Sequence, residues 1–414
     1  MSRTLGFTIL FAVVCTIIAG LHYYFWIRLV RDTQLSGLAR HLATSSVVGL
    51  ALLVVATVSI GRLFPRLGRV LAWPGFIWMG VMFFLLIALL GADVVRLLAT
   101  LAGRGLGLAN AFDGSRRVFT ARVLASAALA SVGGVAAAAI RATRENVAVK
   151  RVEILLQRLP PSLDGTRIVQ LCDMHVGGLL GRAFVERVVR TANALKPDVI
   201  AIVGDVVDGT IQQLRPALAP MASLRARHGV FFVTGNHEYY SRSGARAWMD
   251  EFEGMGMRVL RNQRVAIGAG PEGFDLVGVP DHGSSRFPDD GPSEDMAGAL
   301  AGRDLSRAVV LLAHQPVSIH EAAGLGVDLQ LSGHTHGGQI WPWGALVRLQ
   351  QPYIRGLHRI GESQLYVSCG TGFWGPPMRL GAPAEITEII LHAPSPGLGQ
   401  PKNTASARSD PSWS

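Results

Sequence analysis

Lysine is nearly missing from this chain. Only Lys150, Lys196 and Lys402 occur among 39 basic residues, and the rest are arginine. With 29 acidic residues the formal net charge is +10, but the sequence contains no clustered basic face and no nucleic-acid-binding module. No nucleic-acid partner is therefore expected. Cysteine is scarce as well: Cys15, Cys172 and Cys369 stand far apart, which excludes a disulfide framework and zinc-ribbon spacing. Charge of either sign makes up only 16% of residues, and no internal repeat is present.

Charge is absent altogether from four long stretches, 4–27, 42–61, 70–92 and 123–140. Uncharged apolar runs of this length predict membrane helices. The first ends in Tyr23, Tyr24, Phe25 and Trp26, rings that suit the headgroup boundary. The fourth is the least hydrophobic, rich in alanine and glycine. Its preface, Ser115-Arg116-Arg117-Val118-Phe119, is similar to a twin-arginine export signal. The loop arginines nearly balance, so the orientation rests on that preface. It predicts a multi-pass protein of the cell membrane, with the following domain on the outer face. No acid, lysine or arginine lies inside the stretches, which weighs against a transporter.

Beyond this transmembrane region, 1–145, the pattern becomes that of an α/β domain over 146–392. A Pro-, Ser- and Gly-rich tail, 393–414, is expected to be disordered. Strands are predicted at 167–172, 199–203, 230–233, 309–313, 327–331 and 386–391. A helix is predicted over 182–195, with Phe184, Val185, Val188 and Val189 on one face.

Five clusters follow those strands in order: Asp173-Met174-His175, Gly204-Asp205, Gly235-Asn236-His237-Glu238, His314, and Gly333-His334-Thr335-His336. Ligands in α/β folds gather beyond the carboxyl ends of strands, so the clusters predict metal ligands delivered to one edge of a sheet. The glycines before Asp205, Asn236 and His334 are expected to turn the backbone sharply there. Imidazole with carboxylate suits Mn, Fe or Zn better than Ca or Mg. Seven ligands exceed one site and fit two divalent ions sharing a carboxylate. Such a pair holds a bridging hydroxide and clamps both oxygens of an in-line phosphoryl displacement.

The order D-x-H, G-D-x-x-D, G-N-H-E, H and G-H-x-H resembles the calcineurin-like metallophosphoesterases, over roughly 154–391. The stretch Gly333 to Gln339 resembles their bacterial, membrane-anchored or exported branch. The resemblance implies packed β-sheets flanked by helices. It assigns Asp173, His175 and His336 to one metal, Asn236, His314 and His334 to the other, and Asp205 to both. His237 is implied to assist the leaving group, and Asp208 to orient the ligands from outside. His282 and Arg379 are further candidates for meeting substrate.

The expected activity is hydrolysis of phosphate mono- or diesters, with phospholipid or another envelope phosphate as substrate class. The alternative is a membrane sensor or scaffold that binds a phosphorylated ligand without turnover. The oligomeric state is not legible in the sequence.

Overall fold

The computed structural model describes residues 3–63, 65–105, 114–144 and 147–394. It opens with four long helices: α1 (Arg3–Trp26, continued by a π-helical turn at Ile27–Arg31), α2 (Gly37–Leu63), α3 (Pro65–Gly105) and α4 (Gly114–Arg144). All four are long and apolar enough to cross a membrane. α1 packs along α2, α2 along α3, and α3 along α4.

All four helices outrun the uncharged stretches, α1 starting at Arg3 and α2 taking in Arg40 and Arg62. α3 does not stop at residue 92 but carries Asp93 and Arg96 into its last turns. Asp93 is tolerated because its carboxylate accepts from the Arg28 guanidinium and the Tyr24 hydroxyl, at 2.7 Å each. The twin-arginine stretch is the first turns of α4, with Arg116 and Arg117 exposed. Arg122 then donates to the Thr33 carbonyl at 2.9 Å. The loop after α1, the end of α3 and the start of α4 thus share one end of the bundle. The remainder of the chain leaves from the other.

The second half is a two-sheet sandwich. Its strands are β1 (Ala148–Leu155), β2 (Thr166–Leu171), β3 (Val199–Val203), β4 (Val230–Val233), β5 (Arg258–Val259), β6 (Gln263–Ile267), β7 (Phe274–Gly278), β8 (Val309–Leu312), β9 (Leu329–Ser332), β10 (Gly356–Ile360), β11 (Ser363–Val367) and β12 (Glu385–His392). One sheet has the order β1-β12-β2-β3-β4-β5, the other β10-β11-β9-β8-β7-β6. The expected strands fall within two residues of these bounds, and the expected tail lies, beyond residue 394, outside the described residues.

Alternation along the strands builds three cores. Ile168, Ala201, Val203 and Phe231 face Phe274, Leu276, Val310 and Leu331 between the sheets. Val169, Ile200, Ile202 and Phe232 point the other way, against α5 (Arg182–Ala194), α6 (Ile211–Leu218), the short α7 (Asn236–Tyr240) and α8 (Gly244–Gly254). Val309, Leu311 and Leu365 cover the far face beneath two short helices, 296–300 and 319–324. Each such aliphatic side chain removed from water contributes about 2 kcal/mol, so the layered pattern of apolar residues dominates the fold. The strands β3 and β8 are apolar at every position because both their faces are buried.

Loops of the sandwich dock on the helices. Ile340 and Met378 are buried among Phe25, Phe84, Leu85 and Ala139. The Arg379 amide donates to the Ala139 carbonyl at 3.0 Å, and the Thr143 hydroxyl to the Pro377 carbonyl at 3.1 Å.

Candidate metal centre

β2, β3 and β4 run parallel in one sheet, and β8 and β9 run parallel in the other. Each ends just before one of the five clusters. The centre therefore draws on two sheets rather than on the one edge read from the sequence. The seam between them is closed by side chains. His314 Nδ1 donates to the Val203 carbonyl at 2.8 Å, and the His334 amide donates to the Asp173 carboxylate at 2.9 Å.

Five of the seven expected ligands sit at positive φ: Asp173, His175, Asp205, His334 and His336, at 50°, 45°, 53°, 70° and 52°. Only four other non-glycine residues do so among those described. Left-handed backbone at such residues costs of order 1–3 kcal/mol each, a strain that concentrates at functional sites. Of the three expected turning glycines, only Gly204 has positive φ, at 75°. Gly235 and Gly333 are needed for room instead. A methyl group on either would run into the carboxylate of Asp205 or Asp173.

The side chains converge in two groups. In one, His336 Nε2 lies 3.0 Å from His175 Nε2 and 3.7 Å from Asp173 Oδ1. In the other, Asp205, His314 and His334 offer atoms within 4.8 Å of one another. Asp205 Oδ2 stands between the groups, 3.2 Å from His314 Nε2 and 3.9 Å from His175 Nε2.

These contacts fit bound cations. Two imidazole nitrogens 3.0 Å apart repel unless a proton or a cation stands between their lone pairs. The Asn236 amide oxygen is buried without a hydrogen-bond partner, a costly state that a cation would relieve. The donors are imidazole, carboxylate and amide oxygen, a set suited to Mn, Fe or Zn.

The electrostatics divide the histidines. Burial, then the neighbouring His314, lowers His334 to about 4. Burial, then His175 and Arg379, holds His336 well below its ordinary value. Both rings thus present free lone pairs at neutral pH. Burial opposes charge on His237 too, but the carboxylates of Asp205, Asp208 and Glu238 outweigh it and push the ring up to about 9. His314 is raised in the same way, mainly by Asp205.

The outer candidates divide. Asp208 holds His237 Nδ1 at 2.5 Å through one oxygen, and its other oxygen lies 3.2 Å from His175 Nδ1. His282 is half-exposed and paired with Glu294 at 2.6 Å, a loop contact away from the two groups. Arg379 is fully buried. Its guanidinium donates to the carbonyls of Gly372 and Ala382, so it holds loops together and offers no open face to a phosphate.

Two features escaped the sequence reading. Glu238 is buried, and its carboxylate accepts from the amides of Asp205, Val206 and Gly235 at 3.0, 2.8 and 2.7 Å, tying two ligand loops together. Its signal was the carboxylate closing Gly-Asn-His-Glu. The other is the turn Cys369-Gly370-Thr371-Gly372, which donates from Thr371 and Gly372 to the carbonyls of Cys172 and Asp173 at 2.8 and 2.9 Å. Alternating glycines after β11 were the clue.

The sequence profile of the calcineurin-like phosphoesterases matches residues 166–338, which takes in all five clusters. Transmembrane proteins with a metallophosphoesterase domain from Bos taurus and Danio rerio are 40% and 38% identical to this chain over 310 and 246 residues. Those alignments cover 72% and 58% of this chain, and 68% and 56% of theirs. The chain thus spans between about half and two thirds of the length of these animal relatives. An uncharacterized metallophosphoesterase from Aquifex aeolicus is 34% identical over 59% of this chain and 91% of its own. The relatives are not confined to bacteria, which widens the expected branch. The matched region takes in the five strand ends that carry the candidate ligands, and relatives at least 30% identical share it, so the chain belongs to the calcineurin-like phosphoesterase family and is a metal-dependent phosphoesterase.

Proposed function

We propose that Asp173, His175 and His336 hold one divalent transition-metal ion, that Asn236, His314 and His334 hold a second, and that Asp205 bridges them. The observation that carries this reading is the position of Asp205 Oδ2, within 4 Å of a histidine from each group. When bound, the two ions supply Lewis acidity toward water and toward the phosphoryl oxygens of a phosphate ester.

The chain's own residues do the rest. Asp208 fixes the His237 ring through Nδ1, which leaves Nε2 facing inward, 4.0 Å from Asp205 Oδ2. With Nδ1 held by Asp208, His237 Nε2 is the atom placed to deliver a proton to the departing alkoxide. Glu238 and the left-handed backbone keep the ligand side chains aimed before substrate arrives.

The substrate class is a phosphate mono- or diester of the membrane or cell envelope, phospholipid first. Docking of the sandwich loops on α3 and α4 supports this, because it keeps the centre beside the apolar helices. The domain stands on the outer face of the cell membrane. The twin-arginine stretch supports this, since Arg116 and Arg117 lie at the bundle end away from the sandwich.

The test is hydrolysis of an aryl phosphodiester and monoester by the full chain, chelated and then resupplied with Mn, Zn or Fe. Asp205→Ala serves as control. Turnover restored by metal in the parent chain alone supports the reading. Metal binding without turnover of any ester, lipid phosphates included, overturns it in favour of a non-catalytic sensor.

A further inference from the structure

The segment that follows the His334–His336 cluster carries large apolar side chains on its surface. Trp341 is 58% exposed, Trp343 48%, Leu346 52% and Leu349 84%. Four such side chains within ten residues form an apolar patch of a kind soluble proteins rarely leave open to water. Between Ile340 and Gln351 the single charge is Arg348, itself exposed.

The patch is level with the apolar part of α3. The Trp343 ring meets Phe83 edge-on, with centroids 5.7 Å apart. The charged residues that flank this part of α3 are Arg69 and Asp93. At the rise of an α-helix, Phe83 lies about 21 Å from the first and about 15 Å from the second. If α3 spans a bilayer, Phe83 lies well inside its hydrocarbon, and Trp343 lies there with it.

The backbone of the segment is suited to that depth. Trp343 and every residue from Ala345 to Gln351 donates its amide to a carbonyl between Ile340 and Val347. The Trp341 amide donates to Leu380 at 2.9 Å. Non-spanning backbone enters lipid only when its polar groups are paired in this way.

We infer that Ile340–Leu349 is a lip immersed in the bilayer, with Trp341, Trp343, Leu346 and Leu349 in lipid and Arg348 reaching back to anionic headgroups. The lip joins the metal centre directly. Gln339, at its root, exchanges hydrogen bonds of 2.9 and 3.0 Å with the backbone of Trp374, whose ring stands 5.6 Å from that of His237. The centre therefore opens at headgroup level rather than in bulk water. The immersion itself does not depend on the catalytic reading.

The test places nitroxides on the full chain in vesicles of phosphatidylcholine and phosphatidylglycerol. Cys15→Ser leaves the buried Cys172 and Cys369. Labels go on Leu346→Cys, Leu349→Cys and, as a control, Leu305→Cys, which is exposed before the opposite end of β8. Collisions with oxygen should exceed those with a water-soluble nickel chelate severalfold at 346 and 349, and the order should reverse at 305. Nickel access at 346 and 349 equal to that at 305 overturns the inference. So does spin–spin broadening there with neither reagent admitted, since a second copy of the chain would then cover the patch. Neither result bears on metal-dependent turnover.

Discussion

His237 and Asp208 face one another at 2.5 Å, Nδ1 to Oδ1, while the second oxygen of the same carboxylate lies 3.2 Å from His175 Nδ1. One side chain outside the two cation groups thus steers both the proposed acid and a proposed ligand. Asp208→Asn keeps the shape and removes the charge. It is expected to lower kcat and the affinity for the metal assigned to His175, each by roughly 10–100-fold, the usual effect of losing such a partner. Steady-state kinetics and a metal titration on the purified chain check this. Unchanged values for both would leave Asp208 without a role.

Glu238 supports the centre from below. Removing its carboxylate in Glu238→Ala orphans three buried amides, those of Asp205, Val206 and Gly235. Each unsatisfied donor costs about 1–3 kcal/mol, so the variant should lose at least about 3 kcal/mol of stability. It should also lose metal, because the Asp205 loop is released. Glu238→Gln keeps one acceptor oxygen and should fall between the two. Denaturant titration and metal content separate these outcomes, and an Ala variant as stable as the parent would remove Glu238 from the account.

The raised His237 makes the metal-stripped protein pH-dependent. Its folded value, about 9, lies above the ordinary histidine value of about 6.5. The charged ring therefore stabilises the fold fully below pH ~6.5, and this contribution is lost as pH rises through 9. Its size is at most roughly 3 kcal/mol. In chelator, the stability difference between the parent and His237→Gln should be largest near pH 6 and should vanish by about pH 10. A difference that grows over that range would mean that the ring is neutral in the folded state.

Much of this molecule was legible in the sequence because its signals are local. Val199–Val203 and Val230–Val233 read as strands since they are unbroken apolar runs, and a strand buried on both faces has no other composition. The ligand clusters were legible for a related reason: each follows such a run. What stayed hidden depends on partners distant in sequence. β7 holds Asp275 in mid-strand, a residue that speaks against burial until Arg307 and Arg264 are seen at 3.0 and 3.2 Å. Arg379 read as a candidate for meeting substrate because nothing nearby in sequence shows the carbonyls of Gly372 and Ala382 that receive it. Asp93 marked the end of an uncharged stretch, but the α3 backbone continues past it because Arg28 lies alongside.

Gly235 gives the sharpest test of the shared carboxylate. Its φ is −100°, so a larger residue meets no backbone strain there. A methyl group would instead collide with the carboxylate and amide of Asp205. Gly235→Ala must push the Asp205 side chain aside, and a displacement of that order costs about 100-fold in turnover. The crowding itself should cost the fold only about 1–3 kcal/mol. Gly165→Ala is the control. Its φ is +80° with open space around the Cβ position, so it should lose about 1–2 kcal/mol of stability and no activity. If Gly235→Ala instead keeps full turnover and both metals, Asp205 is not the group shared between them.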